Sequence, residues 1–306
     1  MWLLLLFHAV FASTYTMGKG ILQYASPVFV ASIRLLFSSL IFFSLLLYQG
    51  KSFQIKRRDF LIFASLSFFL FYSHIPENMV LPYISSTKWA LIYSLTPFCT
   101  ALISYFHNSE HMSWRKVLGL CIGFFGIIPA LIFNGDSDAF GGLWRFSWPE
   151  IVMLLCMVSY SYGWVIASHL ILKKKYDASL VNGVGALVGG VAALATSTLV
   201  EQCSAGPINE VWPFWGIMIP LALATTLSWS INTYLLRYYT ITFLMFLMFV
   251  DPLYVALYGW LFLGERVSWH FFVSVLMLFV GLYLFYKEEL KHYELKKVSS
   301  LVPVSI

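Results

Sequence analysis

Few charged residues stand deep inside the long apolar stretches of this 306-residue chain, and the candidates among them are Arg34, Glu77 and Asp251. A charge buried in hydrocarbon is costly, so each is a candidate for a functional role. The forked donors of Arg34 suit a carboxylate, whereas Asp251, which has no obvious basic neighbour, suits a proton or a cationic amine. Glu77, beside Asn78, lies at a depth similar to Arg34. The structural alternatives are an Arg34–Glu77 salt bridge and a hydrogen bond from Asp251 to a neighbouring helix.

Aromatic residues with polar tips form a second group of candidates. A flat ring with a polar tip suits a planar or cationic solute, although helix packing is the alternative for each of them. At interior depth the aromatic residues and their polar companions are Tyr15, His74, Trp89, Tyr93, Tyr160, Trp164, Trp229 and Asn232. The predicted binding residues are Arg34, Glu77, Asn78, Trp89, Tyr93, Tyr15, Trp229, Asn232 and Asp251.

The composition identifies the elements that must position these residues. Hydrophobic residues make up 60% of the chain and charged residues 11%, against about 25% charged residues in soluble domains. A span of about 20 apolar residues crosses the bilayer core as a helix, because lipid offers the backbone no hydrogen-bond partners. The sequence predicts ten such helices, at 2–22, 28–48, 60–83, 86–106, 114–133, 149–172, 179–200, 214–236, 240–262 and 268–286.

The basic residues predict the orientation of these spans. With ten spans, 14 of the 19 Lys and Arg residues fall on one side, which the positive-inside rule assigns to the cytoplasm. Both termini are therefore expected in the cytoplasm, with the chain in an inner membrane and its first apolar run kept as a span. Lys19 and Lys88, near the outer ends of their helices, are expected to extend to the interface.

An internal repeat relates the two halves of the chain. Residues of several types recur at a constant offset of 155 positions, namely Pro97 and Pro252, Glu110 and Glu265, Ser113-Trp114 and Ser268-Trp269, and Gly126 and Gly281. Five spans per half require the second half to be inverted in the membrane. Paired prolines inside spans point to a central cavity. The predicted parts are 1–134 and 148–288 as repeats, 135–147 as a linker and 289–306 as a cytoplasmic tail.

Glycines four residues apart predict close helix contacts. Gly119 and Gly123 share one face of the fifth span, and Gly185 and Gly189 share one face of the seventh. Without a Cβ atom, such positions let two backbones approach each other. We interpret both pairs as packing positions without a chemical role.

Several function classes are excluded by what the sequence lacks. It has no HExxH motif, no P-loop and no second central aspartate beside Asp251, so an enzyme is not predicted. The four cysteines lack metal-ligand spacing, and no basic run is interleaved with aromatic residues as nucleic-acid binding requires. We therefore expect no cofactor, no metal and no nucleic-acid partner.

These motifs resemble the drug/metabolite transporter superfamily, and specifically its EamA-type ten-helix carriers. The resemblance rests on Arg34, on the segment from Pro97 to Glu110 with Gly119 and Gly126, and on the segment from Pro252 to Glu265 with Gly281. It implies an all-α membrane protein of two inverted five-helix repeats. The family includes amino-acid exporters and carriers that exchange S-adenosylmethionine for S-adenosylhomocysteine.

The sequence thus predicts a secondary transporter that moves a small polar or zwitterionic metabolite by alternating access. S-adenosylmethionine exchanged for S-adenosylhomocysteine, or amino acids, are the favoured substrates. The expected partners are this solute, the lipid bilayer, and a coupling proton or counter-substrate, and a homodimer is left open. The alternatives are a membrane sensor or scaffold that does not transport, and a membrane-embedded lipid-modifying enzyme.

Overall fold

The regular secondary structure of the chain is helical throughout the residues that the structure describes. This structure, a computed structural model, describes residues 2–108, 113–132, 147–201, 207–236, 241, 244–245, 248–264, 269–281, 283–284 and 287. Glu110, Glu265, Ser268, most of the predicted linker and the tail from 289 onward lie outside these residues. The all-α fold class is confirmed.

Twelve helices can be named in the described ranges. They are α1 Trp2–Gly20, α2 Pro27–Tyr48, α3 Phe60–Leu66, α4 His74–Val80, α5 Ser86–Tyr93, α6 Thr96–Asn108, α7 Trp114–Ile132, α8 Trp148–Ser168, α9 Ala178–Val200, α10 Val211–Leu235, α11 Asp251–Leu263 and α12 Trp269–Gly281. A π-helical stretch, Ser67–Tyr72, joins α3 to α4, and a second one, His169–Lys173, extends α8.

Six helical stretches in the described part of the chain are long and apolar enough to cross a membrane. They are Pro27–Tyr48, Arg57–Tyr83, Ser86–Phe106, Trp148–Lys173, Ala178–Val200 and Val211–Leu235. Each coincides with one of the predicted spans. The helices α1, α7, α11 and α12 overlap the four remaining predicted spans, and α11 extends one residue past its span, so helix is found in every predicted span.

Two spans are interrupted at matching positions of the repeat. In the fourth span α5 ends at Tyr93 and α6 begins at Thr96, while in the ninth span a 3₁₀ turn at Met248–Val250 precedes α11, which begins at Asp251. Pro97 and Pro252 each occupy the second residue of the new helix. Proline is tolerated there because the amide that it lacks has no partner within the helix. The prediction of paired interruptions is confirmed.

The chain divides into two compact units, residues 1–103 with 146–267 and residues 104–145 with 268–306. In the first unit the most extensive helix contact joins α2 to α9. Glu201, after the end of α9, accepts hydrogen bonds from the amides of Val28 and Phe29 in the first turn of α2. Lys51, just beyond α2, pairs with Asp177, which caps the start of α9. The two helices therefore run antiparallel, as the second helices of inverted repeats must.

Glycines create close contacts in both units. In the first unit, a Cβ atom at Gly185 or Gly189 would collide with Phe71 of the π-helical stretch. In the second unit, a Cβ atom at Gly281 would lie 2.6 Å from the carbonyl oxygen of Gly119 and 2.7 Å from the nitrogen of Gly123. The prediction that both glycine pairs are packing positions is confirmed.

A buried ion pair joins α5 to α8 and corrects one expectation. Lys88 does not extend to the interface, because its ammonium group pairs with Glu150 at the start of α8, and the two side chains are 7% and 6% exposed. Ser147 donates a hydrogen bond to the second carboxylate oxygen of Glu150. The carboxylate offsets the cost of burying the lysine charge. Lys19, at the end of α1, has a different partner: its ammonium group donates a hydrogen bond to the backbone carbonyl of Ile84, between α4 and α5.

The close contact at Gly163 of α8 yields a test of helix packing. A Cβ atom there would lie 2.6 Å from Leu70 Cβ and 2.8 Å from its Cα, so Gly163→Ala forces two backbones apart. We expect a loss of about 1–3 kcal/mol in the free energy of unfolding. Gly216→Ala in α10 is the matched control, since nothing lies within 4 Å of its added methyl group. Thermal unfolding in detergent compares them, and equal melting temperatures would refute the packing account.

The Lys88–Glu150 pair predicts a large cost when one partner is removed. Glu150→Gln removes the carboxylate charge that pairs with the buried ammonium group of Lys88, and we expect a loss of about 3–5 kcal/mol. Lys51→Gln breaks an ion pair whose lysine side chain is 42% exposed, and we expect at most about 1 kcal/mol there. Denaturant titration in micelles measures both. A small effect of Glu150→Gln, or no recovery when Lys88→Met is added to it, contradicts the prediction.

Candidate functional site

A polar cavity lies in the first unit, between α1, α2, α4, α5, α8 and α10. Its volume is about 30 Å³, which is room for very few water molecules. The wall is formed by Phe11, Thr14, Tyr15, Arg34, His74, Glu77, Trp89, Tyr93, Tyr160, Thr225 and Trp229. A metabolite-sized solute therefore requires the surrounding helices to separate.

The structure brings six of the nine predicted binding residues together at this cavity. They are Tyr15, Arg34, Glu77, Trp89, Tyr93 and Trp229. Asn78, Asn232 and Asp251 are buried but do not form its wall. The Asn78 amide instead donates to the carbonyl oxygen of His74 in its own helix, at 2.8 Å.

Arg34 presents unsatisfied donors in this cavity. Its side chain projects from α2 and the residue is 4% exposed. Neither Nε nor Nη2 has a hydrogen-bond partner. These two nitrogens form one edge of the guanidinium plane, the edge that binds a carboxylate through two parallel hydrogen bonds. A buried cation with an open edge is costly, and a carboxylate would satisfy both donors at once.

Glu77 does not take up that edge, because it bonds to His74. His74 Nδ1 lies 2.6 Å from Glu77 Oε2. Because an ionised carboxylate only accepts hydrogen bonds, Nδ1 is the donor whenever Glu77 is ionised. His74 Nε2 is buried without a partner, and the imidazole stacks on Trp229 with ring centroids 5.8 Å apart. His74 and Glu77 are three residues apart on one helix, a spacing that places two side chains side by side, so the sequence could have indicated this pair.

Aromatic rings enclose the rest of the cavity. Tyr15 and Trp89 meet edge to face with centroids 4.6 Å apart, and Tyr93 meets Tyr160 at 5.4 Å. Trp89 Nε1 and the Tyr93 hydroxyl are buried without hydrogen-bond partners. The cavity thus combines ring faces, which attract cations, with polar atoms that a bound solute would satisfy.

Asp251 has a basic neighbour that sequence reasoning missed. Its Oδ1 lies 2.8 Å from Nδ1 of His8 in α1, and the two side chains are 3% and 4% exposed. The expectation that Asp251 lacks such a neighbour is wrong. His8 lies 243 positions away in an apolar run, so nothing local in the sequence connects the two residues.

Comparisons with known proteins agree with this architecture. The sequence model of the EamA-like transporter family matches residues 1–132 and 147–287. A protein of known crystal structure shares the fold with a TM-score of 0.67 at 16% identity, over 92% of this chain and 94% of that one.

Curated relatives cover nearly the whole chain. The S-adenosylmethionine/S-adenosylhomocysteine transporter of Chlamydia muridarum is 28% identical over 92% of this chain and 90% of its own length. The transporter of the same name from Chlamydia trachomatis serovar L2 is 27% identical over 92% of this chain and 87% of its own length. An uncharacterised transporter of Synechocystis is 23% identical over 93% and 88%.

The family match covers far more than half of the sequence and agrees with the helical spans and the duplicated halves. The protein is a multi-pass membrane transporter and not an enzyme. The chain belongs to the EamA-like transporter family.

Proposed function

We propose that this transporter is a secondary carrier of a small zwitterionic metabolite, with S-adenosylmethionine and S-adenosylhomocysteine in exchange as its favoured substrates. The main support is the open guanidinium edge of Arg34 in a cavity walled by aromatic rings. Both compounds carry an amino-acid carboxylate that would bind this edge. The names of the Chlamydia relatives support the same substrates.

The aromatic wall suits the remainder of such a substrate. A purine stacks on aromatic faces, and a sulfonium ion is attracted by the electron-rich faces of Trp and Tyr. Trp89, Tyr93 and Tyr160 supply such faces beside Arg34. The pair of His74 and Glu77 offers an acceptor, the carboxylate, to the substrate ammonium group. Free amino acids share the carboxylate and the ammonium group, and they remain the second class of substrate.

Alternating access is the proposed mechanism of transport. The cavity is too small for the solute in this conformation, so the helices around it must move apart on one side at a time. Breaks at Thr96 and Asp251, equivalent positions of the two repeats, allow the halves of each span to move separately. We further propose repeat boundaries at 1–134 and 148–288, with both termini in the cytoplasm and the chain in an inner membrane.

Removal of the guanidinium edge is expected to abolish carboxylate recognition. Arg34→Lys keeps the charge but loses the two parallel donors, and Arg34→Ala loses both. Charged hydrogen bonds contribute about 1.5–3 kcal/mol, so we expect the apparent affinity to fall about tenfold or more. Uptake of labelled S-adenosylmethionine by proteoliposomes that contain unlabelled S-adenosylhomocysteine measures this. Arg58→Ala, at an exposed residue of the 3₁₀ turn Arg57–Asp59, is the control.

A substrate analogue makes the same test on the unaltered protein. Decarboxylated S-adenosylmethionine keeps the purine and the sulfonium group but cannot bind the Arg34 edge. We expect it to compete poorly with the labelled substrate. Equal competition, or normal transport by Arg34→Ala, would show that Arg34 does not bind the carboxylate.

The aromatic wall predicts discrimination by charge. Trp89→Leu removes a ring face from the cavity, whereas Trp89→Phe keeps one. Because a cation over such a face gains about 0.5–2 kcal/mol, we expect Trp89→Leu to lower the preference for the sulfonium compound over its neutral thioether by about 2- to 30-fold. Competition curves for the two compounds measure the ratio. Trp212→Leu, at an 89% exposed residue, should leave it unchanged, and an equal loss for both compounds in Trp89→Leu argues against the sulfonium contact.

A further inference from the structure

A second buried histidine–carboxylate pair lies apart from the wall of the cavity. His8 and Asp251 bond at 2.8 Å, with the residues 3% and 2% exposed, and neither forms part of the cavity wall. An ionisable pair inside a membrane protein is expensive to keep unless it serves a purpose. The proposed binding of substrate by Arg34 and the aromatic rings gives this pair no role.

The carboxylate is positioned to gain and lose a proton. Asp251 is the first residue of α11, directly after the break in the ninth span, so its charge faces the positive end of a helix dipole. Its second oxygen, Oδ2, is buried without a hydrogen-bond partner. A proton on Oδ2 would neutralise the carboxylate and turn that oxygen into a hydrogen-bond donor.

Other titratable groups surround the pair but leave its hydrogen bond intact. Lys88, on α5, is already engaged by Glu150. Tyr15 on α1 and Tyr160 on α8 are close enough to Asp251 to interact electrostatically with its charge. The remaining titratable side chains on α5 and α11, the helices packed around the pair, are Tyr93, Tyr254 and Tyr258. Among the described residues, His8 is the basic group bonded to Asp251.

A proton fits this pair better than a metal ion. No group of three or more His, Cys, Asp or Glu residues in the described ranges could hold a metal. One histidine nitrogen and one free oxygen fall short of the six or more oxygen ligands that hard cations take. A proton needs a single lone pair, which Oδ2 supplies.

We propose that His8 and Asp251 form the proton-binding site through which this carrier is coupled to a pH gradient. The inference rests on the proposed function for its substrate and assigns the coupling ion to a place separate from that substrate. A proton enters from one side of the membrane, binds the pair, and leaves on the other side after the conformational change.

Helix α1 supplies the physical link between the two sites. His8, Phe11 and Tyr15 are spaced by three and four residues, so they share one face of α1, and the latter two line the substrate cavity. Neutralising the pair removes a buried charge at the contact of α1 with α11 and lowers the cost of moving one past the other. A shift of α1 in turn moves Phe11 and Tyr15 at the substrate.

Proteoliposomes containing the full chain test the coupling. With one proton per substrate, a gradient of one pH unit drives about tenfold accumulation. In the wild-type protein, an imposed pH gradient is expected to drive the accumulation of S-adenosylmethionine. Protons should move with the substrate, and a trapped pH-sensitive dye detects them. Asp251→Asn and His8→Gln are expected to lose both responses, yet to retain exchange of the two compounds at equal pH. Retained exchange also shows that the variants are folded.

A readout without substrate tests the site directly. Infrared difference spectra between acid and neutral pH should show a protonated-carboxyl band that disappears in Asp251→Asn. The band should persist in Glu77→Gln, which alters the other buried histidine–carboxylate pair. Loss of the band in Glu77→Gln alone would place the proton at His74 and Glu77, and overturn the inference.

The outcomes separate this inference from the proposed function. Exchange of the two compounds by a wild-type protein that moves no protons overturns the coupling site and leaves the substrate assignment standing. Accumulation driven by pH in Asp251→Asn overturns it as well. Absence of transport for both compounds, with the Asp251 band present, overturns the substrate assignment and keeps the proton site.

Discussion

The cost of a buried charge governs the polar interior of this transporter. Lipid and packed helices offer an ion little solvation, so it must be paired or be satisfied by a ligand. Lys88 is paired with Glu150, and the carboxylates of Glu77 and Asp251 are each bonded to a histidine. Arg34 differs, because one complete edge of its guanidinium group remains unsatisfied. That contrast is the reason for proposing Arg34 as the group that binds the substrate carboxylate.

The backbone is arranged so that these charges can meet. Antiparallel packing of α2 and α9 gives the first unit a continuous support, held at one end by Glu201 and at the other by Lys51 with Asp177. Glycines on α9 admit Phe71, which brings the third span close to this support. Arg34 therefore projects from a continuous helix, whereas Asp251 stands at a break in its span. These two positions suit the different roles proposed for the two residues in the transport cycle.

The sequence alone was sufficient for the features that depend on local pattern. The length of each apolar run predicted the spans, the constant offset of the repeat predicted matching interruptions at Pro97 and Pro252, and glycine spacing predicted packing faces. Arg34 and four predicted aromatic residues meet at the cavity because charge and polar tips at interior depth are rare enough to be informative. Interactions between distant segments could not be predicted in this way. Pairing of Asp251 with His8, and of Lys88 with Glu150, depends on which helices are neighbours in space.

The separation of the two charged sites has a mechanistic consequence. A carrier in which proton and substrate compete for one carboxylate must exchange one for the other at every turnover. Here the substrate carboxylate is assigned to Arg34 and the proton to Asp251, so both can be bound in the same conformation. Helix α1 reaches both sites through His8 and Tyr15, and in the proposed cycle it moves when the buried charges at both sites are neutralised. Simultaneous occupancy, rather than competition, then becomes the condition for the conformational change, which is the physical requirement for transporting both in the same direction.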